Sequence, residues 1–300
     1  DLRVATVPVK HGERVELRLA NLAKITTTIQ DLGLAGGNLA NVQHFVQQPH
    51  GIILTTGPVG SGKTTTLYSC LSQLDSSQYN IMSIEDPVEV DIEGVNQVNV
   101  NYKIGFDFVK GLRSLLRHDP DVILIGEIRD DETASIAMRA AMTGMLVFSS
   151  LHTNDAPGAV TTLYNFKLPP HLVANGLVGV IAQRLVRQVC TDCSTTRYAT
   201  EDEIAYMYRD EESLPSGHLT VCEGAGCDAC LGSGYRGRLG IFEVLPVSVT
   251  IRDYILEGRT EREIREQARS EGMVTLHGDA RDKVLTGATT VEEMYRVLGK

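Results

Sequence analysis

No apolar run in the 300-residue chain approaches the roughly 20 residues needed to cross a bilayer; the segments 178–182 and 146–148 are too short and read as core. Positive charge is in deficit too. The 28 Lys and Arg against 38 Asp and Glu leave a net charge of −10, so a nucleic-acid backbone is not the expected main partner, although a local basic patch stays open. Six cysteines in a chain of this size do not make a secreted disulfide framework. There is no internal repeat, no low-complexity tract and no signal or transit pattern. The chain starts at Asp1 without a Met, and residues 1–7 alternate as though already inside a strand, so a piece of a longer protein is expected. What remains is ordinary for a soluble globular protein, with 42% hydrophobic and 22% charged residues. That is enough for one large or two modest domains with a real core.

Residues 1–20 alternate apolar and polar around His11-Gly12-Glu13 and predict a β-hairpin. A mixed, loop-like connection is expected over 21–50. From 51 to 187 strands and helices alternate: strands at 51–55, 80–85, 95–100, 121–126 and 145–150, helices at 63–74, 106–117, 131–142, 156–164 and 171–187. In the last of these Val173, Leu177, Val180, Ile181 and Leu185 share a helical face. Such alternation predicts an α/β domain with a central, mostly parallel sheet. Residues 188–240 are loop-rich and hold most of the cysteines, and from 247 to the end short amphipathic helices dominate.

Gly57-Pro58-Val59-Gly60-Ser61-Gly62-Lys63-Thr64 fits the P-loop pattern at every fixed position. Its context is right as well, with the apolar stretch 51–56 before it and Leu67, Leu71 and Leu74 on one helical face after it. A strand feeding a glycine-rich turn into a helix N-terminus aims main-chain N–H groups and the positive helix end at an anion. Lys63 should reach the β- and γ-phosphates of a bound nucleotide, the Thr64 hydroxyl should ligate Mg²⁺, and Thr65 completes the nucleotide-binding run. A second acid near the metal is expected at the end of a buried strand. Asp121-Val122-Ile123-Leu124-Ile125-Gly126-Glu127 supplies Glu127, a glutamate where the common pattern ends in aspartate. Water activation requires a further group. Ile84-Glu85-Asp86-Pro87-Val88-Glu89 offers three carboxylates in a Pro-containing turn, and the residues alone do not choose among Glu85, Asp86 and Glu89. His152, at the end of the 145–150 strand, is a candidate γ-phosphate sensor.

Together these pieces resemble the secretion and pilus ATPases of type II secretion and type IV pilus assembly. The matching elements are the P-loop at 57–64, the Asp box Glu85-Asp86-Pro87-Val88-Glu89, the strand ending Gly126-Glu127-Ile128-Arg129-Asp130 and the His box Leu151-His152-Thr153-Asn154. Their order and spacing match over essentially the whole chain. The resemblance implies a RecA-like P-loop NTPase core at 51–187, preceded by the end of a PAS-like N-terminal domain (1–20) and a linker (21–50). A tetracysteine module (188–240) and a C-terminal helical subdomain (241–300) follow it. It implies Glu89 as catalytic base, Glu127 as the acid near Mg²⁺ and His152 as the functional histidine. It also implies a cytoplasmic homo-hexamer, peripheral to the inner membrane, which hydrolyses ATP. The partners implied are an inner-membrane platform protein and a docking partner for the N-terminal domain, with no nucleic acid. Arginines from the N-terminal part reach the phosphates in that family, which makes Arg3 and Arg18 candidate fingers. Arg113 and Arg117, one helical turn apart, read equally as a solvated face or as a contact to the Asp box or another subunit. One departure is Met145, where the family usually has histidine.

Cys190-x-x-Cys193 and Cys227-x-x-Cys230, with 33 residues between the pairs, carry the spacing of a structural four-cysteine zinc site. Four thiolates would close the coordination shell, so the metal would replace a core that this loop-rich segment cannot build. Cys222 breaks the spacing and Cys70 reads as core. The module resembles that of the secretion and pilus-extension branch; retraction motors typically lack it. Rival readings are a retraction ATPase, a nucleic-acid translocase and a catalytically silent, zinc-stapled scaffold.

Overall fold

The computed structural model describes residues 2–19, 28–211, 213–215 and 217–299; the side chains of 2, 3, 18 and 19 lie outside that description. The chain opens with the hairpin expected from its alternation, β1 (Leu2–Val9) and β2 (Gly12–Leu19), paired antiparallel. Then come α1 (Gly36–Val46), β3 (Gly51–Thr56), α2 (Lys63–Leu71), β4 (Ile81–Glu85), β5 (Val95–Asn99), α3 (Phe108–Leu115), β6 (Val122–Ile125), α4 (Asp131–Met142), β7 (Leu146–Leu151), α5 (Ala156–Asn165) and α6 (Pro170–Gly176). The last part holds β8 (Leu177–Val189), β9 (Ser194–Tyr198), α7 (Glu201–Met207), β10 (Thr220–Gly224), β11 (Tyr235–Pro246), α8 (Val249–Leu256), α9 (Glu261–Ser270), α10 (Leu276–Leu285) and α11 (Val291–Leu298).

One seven-stranded sheet organises the molecule, in the order β11-β8-β3-β7-β6-β4-β5. All neighbours run parallel except β11, which lies antiparallel to β8 at the edge. The central strands are apolar at almost every position because both faces are covered. Ile52, Leu54, Ile123, Ile125 and Val147 face one core, packed by α4, α5 and α6. Ile53, Leu124 and Phe148, alternating with them, face the other, packed by α1 and α2. Helix starts are capped by short acids: Asp130 accepts the Thr133 N–H at 2.7 Å and Asp155 that of Gly158 at 2.9 Å. The C-terminal helices bury Ile251, Ile255, Val291 and Met294, the stripes expected from their spacing.

The helix expected over 171–187 is corrected. α6 ends at Gly176, and β8 takes over at Leu177 and runs for 13 residues. The apolar run 177–182 satisfies a helical face and a doubly buried strand equally well, so its period does not discriminate. Tertiary packing decides: β8 fills the slot between β3 and β11, and Gly179 lies so close to Phe45 that a Cβ there would sit 2.3 Å from the ring. The loop-like connection at 21–50 is corrected in part by α1, which buries Val42, Phe45 and Val46 against the sheet. β11 crosses position 240, so residues 241–246 belong to the main sheet before the C-terminal helices begin.

Candidate active site and candidate metal centre

The sheet order places β3, β7, β6 and β4 side by side and parallel. Their C-terminal ends release the P-loop, the His box, Glu127 and the Asp box in turn, along the edge where open α/β sheets bind ligands. Lys63, Thr64, Glu85, Asp86, Glu89, Glu127, Arg129 and His152 line one cavity of about 290 Å³ there, together with Val59 and Gly60. This volume sits at the lower limit of small-molecule sites and suits a triphosphate better than an entire nucleotide. A larger cavity of about 650 Å³, bounded by Gln48, Leu74, Asp121 and Gly144, lies at the opposite ends of β6 and β7, out of reach of all four motifs.

The phosphate loop is built from backbone. Gly57, Gly60 and Gly62 adopt positive φ, and a Cβ on Gly57 would meet the Gln183 carbonyl at 2.5 Å. Gly62 starts α2 with no side-chain cap, leaving the first-turn N–H groups of the helix directed at the cavity. Lys63 Nζ folds back onto the carbonyls of Gly57 (2.8 Å) and Pro58 (3.2 Å) and lies 3.5 Å from His152 Nδ1. Burial lowers the Lys63 pKa, Glu127 raises it and Arg184 lowers it again. Ser61 Oγ, Thr66 Oγ1 and Gln183 Oε1 are buried under the loop without a hydrogen-bond partner among the described residues. Thr65 sits in the first turn of α2, where its carbonyl accepts the Ser69 hydroxyl at 2.9 Å, and it is not part of the cavity wall.

Glu127 is held from two sides. Arg129 pairs with Oε1, and His152 Nε2 lies 3.3 Å from Oε2. Burial alone would raise its pKa, but Arg129 and His152 overcome that and hold it below the ordinary carboxylate value. The three acids of the Asp box part company. Glu85 is buried at the end of β4 and accepts hydrogen bonds from Tyr68, Ser83 (2.6 Å) and Gln97 (3.1 Å). Asp86 is exposed near the Tyr102 hydroxyl, whose pKa burial and then Asp86 raise, and Glu89 is exposed on the cavity rim. Thr64 and Glu127 in the same cavity lining fit a divalent ion, and the uncapped helix end with Lys63 and Arg129 fits a polyphosphate.

Residues that the motifs do not include support this edge. Gln183 on β8 props the loop from below, and Arg184 reaches the Asn154 carbonyl at 2.6 Å to hold the end of the His box. A polar pair inside the apolar stretch 177–186 was the available signal. Arg129 stood in the quoted motif without a role. Arg3 and Arg18 face each other across the β1–β2 register, but their side chains lie outside the described residues. Arg113 pairs with Glu132 on the exposed surface. Met145 precedes β7, whose six residues, about 20 Å of strand, separate it from His152, and it packs on the core.

The four cysteines converge. All four Sγ atoms lie within 4.8 Å of one another. The Cys190–Cys227, Cys193–Cys230 and Cys227–Cys230 separations are 3.9, 3.8 and 3.7 Å. A tetrahedron with Zn–S bonds of ~2.3 Å has edges of about 3.8 Å, so the cluster has the size of a zinc site. Main-chain N–H groups of Cys227 (3.1 Å) and Gly234 (3.2 Å) point at Cys230 Sγ and draw that thiol down to about 6, toward the thiolate a metal takes. Cys70 is fully buried on α2, its thiol pushed up to about 12 by burial, and Cys222 packs beside Gly287, away from the cluster.

The family model of the type II/IV secretion system proteins matches residues 1–296. The chain is 46% identical over 297 residues to the type II secretion system protein HxcR of Pseudomonas aeruginosa, covering 99% of this chain and 59% of the relative. It is 43% identical over 294 residues to the type IV pilus assembly ATPase PilB of Thermus thermophilus, covering 98% of this chain and 33% of that protein. The crystal structure of the pilus retraction motor PilT with bound ADP superposes with a TM-score of 0.70 at 27% identity, over 98% of this chain and 73% of that one. The chain thus spans well under two thirds of the length of these curated relatives. By these matches the chain belongs to the type II/IV secretion system protein family.

Proposed function

We propose that this chain is the nucleotide-binding part of an ATPase motor that drives assembly of a type II secretion pseudopilus or a type IV pilus. The observation that carries the reading is the convergence of four adjacent strand ends on one cavity lined by Lys63, Thr64, Glu89, Glu127 and His152. The main-chain N–H groups of the P-loop and Lys63 bind and orient the phosphates of ATP. Thr64 and Glu127 hold Mg²⁺, whose role is to neutralise the charge on the β- and γ-phosphates. Glu89 accepts a proton from the attacking water or orients it, and His152 reads the γ-phosphate next to Glu127. Arginine supplied across a domain or subunit boundary, with Arg3 and Arg18 as candidates, completes the phosphate shell of a small and open site. Cys190, Cys193, Cys227 and Cys230 hold a structural Zn²⁺ that staples residues 188–240.

In the whole protein the motor is a cytoplasmic homo-hexamer, peripheral to the inner membrane through a platform protein and a partner of its N-terminal domain. Hydrolysis and release change the relative orientation of its domains. The test is phosphate release by the full-length protein. Glu89→Gln is expected to slow it by about 10²–10⁴-fold while ATP still binds, and Lys63→Ala is expected to lose binding. Unchanged release in both variants would favour the silent scaffold. Forced hexamerisation should raise turnover per protomer; equal turnover in monomer and hexamer would argue against shared sites. A retraction motor is the second reading, favoured by the likeness to PilT; one zinc per chain would weigh against it.

A further inference from the structure

The loop that carries Glu89 has little regular structure of its own. Residues 86–94 form no helix or strand and are mostly exposed. A general base on such a segment would wander, and a displacement near 1 Å is enough to cost about 10²-fold in rate. Something else must fix the distance from the phosphate loop to Glu89.

Tyr68 has the required connections. It lies on α2, the helix whose first turn carries Lys63 and Thr64, and it is 1% exposed. Its hydroxyl donates to Glu85 Oε2, the first acid of the Asp box. The other Glu85 oxygen is filled by Ser83 (2.6 Å) and Gln97 (3.1 Å). Gln97 also donates to the Val90 carbonyl (3.1 Å) and accepts the Ile92 N–H (2.8 Å). Asn99 Oδ1 accepts the Val88 N–H at 2.7 Å. The Asp-box loop is therefore clasped from β5 by Gln97 and Asn99, and Glu85, where the loop leaves β4, is held from the phosphate-binding helix by Tyr68. Each polar group in the buried part of this network has a partner, the condition under which such networks rigidify rather than destabilise. Phenylalanine at 68 would keep the packing and leave Glu85 Oε2 without its donor.

We propose that Tyr68 is a positioning residue for hydrolysis: through its bond to Glu85, itself linked by Gln97 to the Val90 carbonyl, it ties the loop that carries Glu89 to the P-loop helix, so that base and bound phosphate move as one unit. The proposal rests on Glu89 being the base.

The test compares Tyr68→Phe, Glu89→Gln and the double variant in the full-length protein. Steady-state turnover is measured alongside binding of a fluorescent ATP analogue. Tyr68→Phe is expected to lower kcat at least tenfold with nucleotide Kd within twofold of the parent, a split that general loosening of the nucleotide site would not produce. In the Glu89→Gln background it is expected to add less than twofold. If Glu89→Gln is slow but Tyr68→Phe turns over normally, or if the two losses multiply, the positioning role is overturned while the base stands. If Glu89→Gln turns over normally, the base and the proposal fall together. Should Tyr68→Phe unfold, Asn99→Ala loosens the same loop from its exposed side. It is expected to lower kcat severalfold at unchanged Kd, and normal turnover there overturns the proposal.

Discussion

Gln183 Nε2 donates to the Ser61 carbonyl oxygen at 2.6 Å, joining β8 to the P-loop across 122 positions of sequence. The bond lies beneath the loop, and the Gln183 main chain leaves no room for a side chain at position 57. The shape of the phosphate loop is thus set partly by a strand that contributes nothing to its motif. Gln183→Ala should leave a buried acceptor unpaired, a defect of about 1–3 kcal/mol. If about half of that appears in the loop geometry, nucleotide affinity falls roughly two- to tenfold. Titration with a fluorescent nucleotide checks this.

Metal removal is expected to melt the tetracysteine segment before the sheet. Purified protein should carry one zinc per chain by elemental analysis. A strong chelator, or Cys193→Ser, should lower the melting temperature and expose residues 190–235 to protease. Cys222→Ser, outside the cluster, should change neither.

His277 predicts an acid-sensitive contribution to stability. It is 5% exposed, with Nε2 unpartnered among the described residues. Burial, then Arg209 and Arg281, hold its pKa at about 4 against the ordinary 6.5, with Asp210 opposing them. The unfolded chain therefore binds a proton between pH 6.5 and 4 that the folded chain refuses. Stability from this group is complete above 6.5 and is lost as pH falls, by about 2 kcal/mol at pH 5. Urea midpoints at pH 7 and 5 should differ more for the parent than for His277→Phe. Equal differences would dismiss the assignment.

Glu293 should be the costly member of its cluster. It has no exposed surface and receives Arg187 Nε (2.7 Å), the Arg187 N–H (2.6 Å) and two nitrogens of Arg296 (2.6 Å each). Glu293→Ala leaves the Arg187 N–H and two half-exposed guanidinium groups without their acceptor and is expected to cost about 1–3 kcal/mol. Arg296 is 52% exposed, and Arg296→Ala is expected to cost about 1 kcal/mol or less. Chemical denaturation of both variants tests the ranking.

The elements legible in advance were those in which local pattern and final environment agree. Buried strands such as 122–125 are apolar throughout, and α4 carries both a capping aspartate and a helical period, so its expected span of 131–142 matches the structure. The motifs at the ends of β3, β4, β6 and β7 could be read because glycine and acid spacing is local. β8 could not, because its apolar run suits either period and only its neighbours choose. The supports of the site were hidden for the same reason. Tyr68 looks like one more apolar position on α2, and nothing nearby in sequence announces that its hydroxyl meets Glu85. Gln183 and Arg184 make their contacts across 122 and 30 positions. Setting Glu85 apart from the other two acids also needed burial, which turns Glu85 into a structural anchor and leaves Asp86 and Glu89 both exposed at the cavity.

Beyond Ala182, β8 parts from β3 and continues with β11 alone as a two-stranded ribbon that ends at Cys190. Gln183 lies on β8 and Cys190 directly follows its end, seven residues or roughly 23 Å along the chain. β11 bulges opposite 187–189 but β8 itself runs through, so the metal knuckle works as a splint for the phosphate-gripping edge. Demetallated protein should accordingly capture nucleotide more slowly, even though no cysteine touches it.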